Sequence, residues 1–247
     1  MTDVHVSPPP ALRRALDLLA DPPADPDVSR GYLDLLGRDS GKSDVAKNTG
    51  PIQAAWASPI GSMLYDNAQA LSRRLIGAWQ TPLEWLNIPP GGVALDVGSG
   101  PGNVTASLAR AAGPEGLALG IDISEPMLER AVRNEAGPQV GFIKADAQRL
   151  PLRDDTVDAV VSTAVLQLVP SPAAALGEMA RVLRPGGRLA VMVPTVGPAA
   201  RLFQRLPNVG AHVFDDDEIG DILEDHGFVS VRVKNYGTVQ WVRAKNG

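Results

Sequence analysis

The sequence predicts an α/β fold: a doubly wound, mostly parallel seven-stranded sheet with an antiparallel last strand, preceded by an N-terminal helical arm or lid. Three observations carry this expectation. From residue 93 to residue 193, short apolar runs alternate with segments of helical period, the pattern of buried parallel strands joined by crossover helices. The chain then closes on two alternating stretches around Asn235-Tyr236-Gly237, which read as a hairpin. Before Pro89-Pro90-Gly91-Gly92 that regularity is lost. Residues 1–88 are therefore expected to form the arm and lid, and residues 89–247 the sheet domain.

In chain order, residues 1–50 are irregular and rich in Pro, Gly, Asp and Ser. They are broken only by a short helical pattern from Ala11 to Ala20 and by the stretch GYLDLLG. This part reads as an arm that packs on something else or is partly mobile, with SDVAKNTG as its disordered loop. Between Pro59 and Leu86 the residues Leu64, Ala68, Leu71, Leu75, Ile76 and Trp79 recur at spacings that give one apolar helical face. VALDV is the first strand, followed by the helix NVTASLARAA. LALGI is the second, followed by SEPMLERAVRNEA with Ser124 as N-cap and Pro126 in its first turn. VGFIKA and VDAVVST are the third and fourth strands. The helix PAAALGEMARVL and the turn RPGG lead into the fifth, RLAVMV. The helix DDDEIGDILEDHG, with an acidic start and Gly227 as its stop, precedes the hairpin. Right-handed crossovers align the C-terminal ends of the parallel strands on one edge, where such sheets bind ligands.

Composition narrows the function. The formal net charge is -5, and no long Lys/Arg run is present, which argues against a nucleic-acid partner. The chain contains no cysteine, which excludes disulfides, thiolate metal sites and a cysteine nucleophile. No metal-binding pattern is indicated. The first residues are not a basic stretch followed by an apolar one, and no apolar run is long enough to span a bilayer. A cytoplasmic location is the expectation.

The turn after the first strand reads Asp96-Val97-Gly98-Ser99-Gly100-Pro101-Gly102-Asn103. A glycine turn between a strand and a helix brings backbone close to a nucleotide. Asn103 stands where the dinucleotide spacing requires its third glycine, and Asp96 would oppose a pyrophosphate in a partly desolvated cleft. A cationic ligand reverses that sign. S-adenosylmethionine carries a sulfonium and an ammonium and no phosphate, so Asp96 would attract its amino-acid end, directly or through water.

These residues resemble the first motif of the class I S-adenosylmethionine-dependent methyltransferases, and more distant segments agree with that resemblance. Asp122 ends the second strand at the position of an acid that accepts both hydrogen bonds of a ribose diol. Ile123 and Met127 then cover the adenine. Asp146 ends the third strand in a segment resembling the family's D-A-x-x-L-P. There the acid meets the adenine amino group, the Ala147 N–H reaches a ring nitrogen, and Gln148 lies alongside. Backbone around Ser162 and Thr163 is implied to hold the methionine moiety. The resemblance spans residues 90–245. It implies a Rossmann-like domain with S-adenosylmethionine as cofactor and a cofactor-binding set of Asp96, Gly98, Ser99, Gly100, Asn103, Asp122, Ile123, Met127, Asp146, Ala147, Gln148, Ser162 and Thr163.

Methyl transfer is an in-line displacement that needs alignment and dryness, with a base only where the acceptor must lose a proton. No catalytic constellation is visible. The acceptor-pocket candidates are Tyr65, Gln167 and His212; the glutamine can orient an acceptor but not act as a base, and the histidine can serve as one. His226, just before the helix-ending glycine, is expected to interact with the helix C-terminus. No appended RNA-binding domain is recognisable. Ser-Thr-Ala-Val stands after the fourth strand where amino-group methyltransferases of nucleic acids or proteins carry an N-P-P-Y-type sequence. A small-molecule or lipid-like acceptor methylated at oxygen or carbon is thus expected. A non-catalytic cofactor-binding protein and a dinucleotide-dependent dehydrogenase are the alternatives.

Overall fold

The protein is described from a computed structural model, which places residues 7–37, 82–194, 212, 214–237 and 239–247. The periodicities of the sequence become six helices and eight strands among these residues. In chain order they are α1 (Pro10–Leu16), β1 (Leu33–Asp34), α2 (Leu83–Leu86), β2 (Val93–Val97), α3 (Asn103–Ala112), β3 (Leu117–Asp122), α4 (Glu125–Glu135), β4 (Val140–Lys144), β5 (Val157–Thr163), α5 (Pro172–Val182), β6 (Leu183–Pro194), α6 (Glu218–Asp225), β7 (Phe228–Tyr236) and β8 (Val239–Asn246). A 3-10 turn, Leu166–Leu168, follows β5.

One sheet runs in the order β1-β4-β3-β2-β5-β6-β8-β7. Strands β1 to β6 pair in parallel, and β8 lies antiparallel between β6 and β7. The reversal of order between β3-β4 and β5-β6 places β2 at the topological switch, so the glycine turn after β2 opens on the ligand-binding edge.

The expected seven strands are eight. Leu33 and Asp34 in GYLDLLG pair with Ile143 and Lys144 and extend the sheet by one edge strand. Two side-chain interactions explain why so short a segment holds. Tyr32 is buried, and the Lys144 ammonium, itself buried, lies 3.2 Å from Asp34 Oδ2 and 2.6 Å from Glu125 Oε1. Arg30 completes the group on the other oxygen of Glu125. A buried ammonium without these partners would be strongly destabilising.

Each face of the sheet has its own core. On one, Ala11, Leu12 and Ala15 of α1 and Leu176, Met179 and Leu223 of α5 and α6 pack with Leu95, Leu119 and Val191. On the other, Leu108, Ala109 and Ala112 of α3 and Leu128 and Ala131 of α4 meet Ala94, Ala118 and Phe142. Alternation along β2 then fixes the next step: Asp96 shares the face of Ala94, beneath α3.

The helix expected at Ala11–Ala20 stops at Leu16, and Leu19 instead forms a bridge to Leu152. Of the helical pattern at Pro59–Leu86 only α2 lies among the described residues. No helix among the described residues is long and apolar enough to cross a membrane.

Candidate active site at the cofactor-binding edge

The glycine turn is folded by hydrogen bonds to β3. The Gly98 and Ser99 N–H groups both donate to the Ile121 carbonyl, at 2.7 and 3.0 Å, and Gly100 N–H donates to Asp122 Oδ2 at 2.8 Å. Gly102 N–H donates to the Ser99 carbonyl. A turn that cradles a pyrophosphate must aim such groups outward. Here they are engaged within the protein.

Two of the glycines do different work. At Gly98, φ is +76° and a Cβ would lie 2.0 Å from Val165 Cγ2, so its missing side chain lets the loop after β5 seat against the turn. At Gly100, φ is +50° and a Cβ would meet nothing within 4 Å, so this is where a ligand has room to approach.

Asp96 is 1% exposed and accepts a 2.6 Å hydrogen bond from Thr105 Oγ1. The Thr105 backbone N–H also favours its charged form. The carboxyl thus occupies the N-terminal end of α3, where amides and dipole favour an anion. That is the position a phosphate would need. The bonds of Asp96 thus point to α3. Thr105 escaped the sequence reading. Its signal was a threonine in the first turn of the helix after the acid.

Burial pushes the Asp96 carboxyl up to about 7, with the Asp122 charge adding to the effect and the Thr105 bonds opposing it. The folded chain therefore keeps a proton between the ordinary aspartate range and about 7 that the unfolded chain has released. Through this group, stability falls as pH rises across that window. Asp96→Asn removes this contribution. Urea unfolding should show the variant gaining on the unaltered protein between pH 5 and pH 8, whereas parallel curves would remove the buried carboxyl from the account.

Asp122 Oδ1 accepts the Ser124 N–H at 2.8 Å, so both carboxylate oxygens already hold a backbone amide. Each retains a lone pair for a ribose hydroxyl. Burial raises its pKa and the amides oppose that shift. Ser124 stands at the N-cap position of α4, as expected, but its hydroxyl makes no cap bond and is buried without a partner among the described residues. The Asp122 carboxylate, two residues earlier, takes hold of the Ser124 amide instead.

Ile123 is 41% exposed at the same edge, while Met127 is buried in α4. Asp146 Oδ1 accepts from Gln148 N at 2.8 Å and Nε2 at 3.2 Å. Gln148 Oε1 then accepts from Ser171 N, which ties this loop to the start of α5. Ala147 packs partly buried against the core, and Asn103 is exposed and donates to Glu135.

At the end of β5 the roles divide. Ser162 is buried and donates to the Val97 carbonyl at 3.0 Å, which locks β5 to β2. Thr163 Oγ1, Gln167 Oε1 and Ser99 Oγ are buried without partners among the described residues, which leaves polar atoms near this edge for a ligand or water. Gln167 Nε2 donates to the Ala164 carbonyl.

The fold brings His212 to Gln167: the His212 backbone N–H donates to the Gln167 backbone carbonyl at 2.7 Å. His212 Nε2 lies 2.7 Å from Glu218 Oε1, and its ring stands edge-on to Phe214 at 4.5 Å. Glu218, read in the sequence only as an acidic helix start, is thus also the partner of the histidine. His226 Nδ1 lies 2.7 Å from the Ile222 carbonyl at the end of α6, as expected. Tyr65 lies outside the described residues.

Residues 95–191 match the methyltransferase domain family. Residues 95–191 thus form an S-adenosylmethionine-dependent methyltransferase domain. It is 39% identical over 115 residues to a demethylmenaquinone methyltransferase of Roseiflexus castenholzii, covering 46% of this chain and 48% of the relative. It is 36% identical over 126 residues to the ubiquinone/menaquinone biosynthesis C-methyltransferase UbiE of Burkholderia mallei, covering 49% and 51%. The crystal structure of a SAM-dependent methyltransferase from Aquifex aeolicus superposes with a TM-score of 0.52 at 26% identity, over 72% of this chain and 98% of that one. The chain spans about half the length of the curated relatives it matches. The cofactor of a methyltransferase domain of this kind is S-adenosylmethionine, and the edge fits it: an acid bonded to the turn at Gly100, where an added side chain would meet no protein atom, and turn amides engaged within the protein.

Proposed function

We propose that the protein methylates a small, lipid-like acceptor of the quinol type, at ring carbon or oxygen, with S-adenosylmethionine as donor. The observation that carries this reading is the likeness to quinone-pathway methyltransferases across the segment that builds the cofactor edge. The unpartnered Thr163 and Gln167 oxygens support it, since they supply acceptors for the hydroxyls of a quinol. In the reaction the methyl carbon–sulfur bond breaks, a bond to the acceptor forms, and the acceptor gives up one proton. The reduced acceptor is required, because a sulfonium methyl is electrophilic and the oxidised ring is not a nucleophile.

Asp122 would hold the ribose, Asp146 and Ala147 the adenine, and Gly98, Ser99, Gly100 and the Ser162–Thr163 backbone the rest of the cofactor. His212 would take the proton. With Nε2–H donated to Glu218, its Nδ1 lone pair is left for a hydroxyl. His212→Gln is expected to lower kcat about 10²-fold, near the lower end for losing a general base. An unchanged kcat would remove His212 from the reaction.

The test of the function is transfer of labelled methyl to a reduced naphthoquinol bearing an isoprenoid chain. Label is expected in the lipid phase with the quinol and not with the quinone. Cofactor binding without transfer to any quinol would overturn the acceptor assignment.

A further inference from the structure

Strand register gathers positive charge that is scattered in the sequence. Arg188 faces Lys245, which faces Val229. Ala190 faces Arg243, which faces Arg232. Met192 faces Trp241, which faces Lys234. The register shift between Val229 and Arg232, with Ser230 at φ +57°, brings those two side chains to the same face. Lys234 lies 4.8 Å over the ring of Tyr236, which joins the face beside it. Residues directly opposite on neighbouring strands point to the same side of a sheet. Arg188, Arg232, Lys234, Arg243 and Lys245 therefore share one face of the β6-β8-β7 ribbon.

Among the described residues, none of these five makes an ion pair, whereas Arg30, Lys144, Arg181 and Arg184 are each held by a carboxylate. Arg188 and Arg243 stand over Trp85, at 4.8 and 4.9 Å, and Arg232, Lys234 and Lys245 are exposed. Five cations without an ion pair among the described residues, on one ribbon, contrast with a formal net charge of -5 for the chain. Two apolar side chains are exposed among them, Val229 at 48% and Tyr236 at 39%.

We propose that this face seats the protein peripherally on an anionic lipid bilayer. A headgroup plane offers phosphates to the cations and an apolar boundary to Val229 and Tyr236, the arrangement expected of an interfacial contact. A nucleic-acid duplex would answer the cations but leave Val229 without a partner. The surface does not depend on the identity of the methyl acceptor.

The test is cosedimentation of the full chain with phosphatidylcholine vesicles, with and without phosphatidylglycerol. Binding is expected only to the anionic vesicles, with release as added salt shortens the Debye length to a few ångströms. The double variant R232Q/K234Q is expected to bind roughly 25-fold more weakly, at about five-fold per basic residue, and K245Q about five-fold more weakly. An unchanged melting shift with S-adenosylhomocysteine shows that these variants remain folded. Equal binding to uncharged vesicles, no binding to anionic ones, indifference to the substitutions, or tighter binding to duplex DNA would each overturn the proposal.

Discussion

Asp122→Ala is expected to weaken binding of S-adenosylhomocysteine by about 1.5–3 kcal/mol, the range for hydrogen bonds to a charged group, or roughly 10- to 150-fold in Kd. The carboxylate has two duties, and the substitution ends both. It gives each oxygen to a backbone amide, Gly100 on one side and Ser124 on the other. On the proposed reading it also presents its remaining lone pairs to a ribose diol. Asp122→Asn keeps one oxygen as acceptor and should lose less. Isothermal titration of the folded variants measures both. A Kd for Asp122→Ala equal to that of the unaltered protein would mean that adenosine does not lie at the end of β3.

The two glycines of the turn should respond in opposite ways. Gly98→Ala is expected to destabilise the fold by about 2–5 kcal/mol, combining a left-handed backbone position with an overpacked contact. The new Cβ would press on Val165 Cγ2 at 2.0 Å and Cγ1 at 2.7 Å. Adding Val165→Ala should restore part of that loss, since residues in contact couple. Gly100→Ala meets no protein atom within 4 Å and should reduce stability by only about 1 kcal/mol, the strain of its φ. Its effect should fall on the ligand, with affinity for S-adenosylhomocysteine at least about 10-fold weaker where adenosine packs against the turn. Urea denaturation and titration of the same two proteins separate the outcomes. Equal stability losses at the two positions would contradict the division of labour.

Much of the fold was legible because buried parallel strands leave continuous apolar runs. VALDV, NVTASLARAA and VDAVVST became β2, α3 and β5 with the expected bounds. What escaped was long-range. The pairing of Leu33 and Asp34 with β4 is fixed by a buried ion pair between residues 110 apart, and no local pattern announces it. The RPGG turn proved to be part of β6 itself, bulged against β5 between Val157 and Ala159.

At the edge, the places of Asp96 and Asp122 near the ends of β2 and β3, and of Asp146 two residues beyond β4, could be read from chain order. Their partners could not. That Asp96 bonds to Thr105, that Val165 fills the place above Gly98, and that Glu218 holds His212 are facts of packing between elements. The basic face of the hairpin was hidden for the same reason. Its charges come from three strands, so no run of Lys or Arg marks it.

The central claim concerns electrical sign. An aspartate already fills the anion position at the start of α3, and the amides of the glycine turn face inward. The edge should therefore accept a phosphate-free nucleoside with an ammonium at its amino-acid end and refuse a pyrophosphate. One competition measurement decides this most directly: thermal unfolding with saturating S-adenosylhomocysteine or with NADH at the same concentration. The account predicts a clear rise in Tm with S-adenosylhomocysteine and none with NADH. A rise with NADH, and none with S-adenosylhomocysteine, would contradict it.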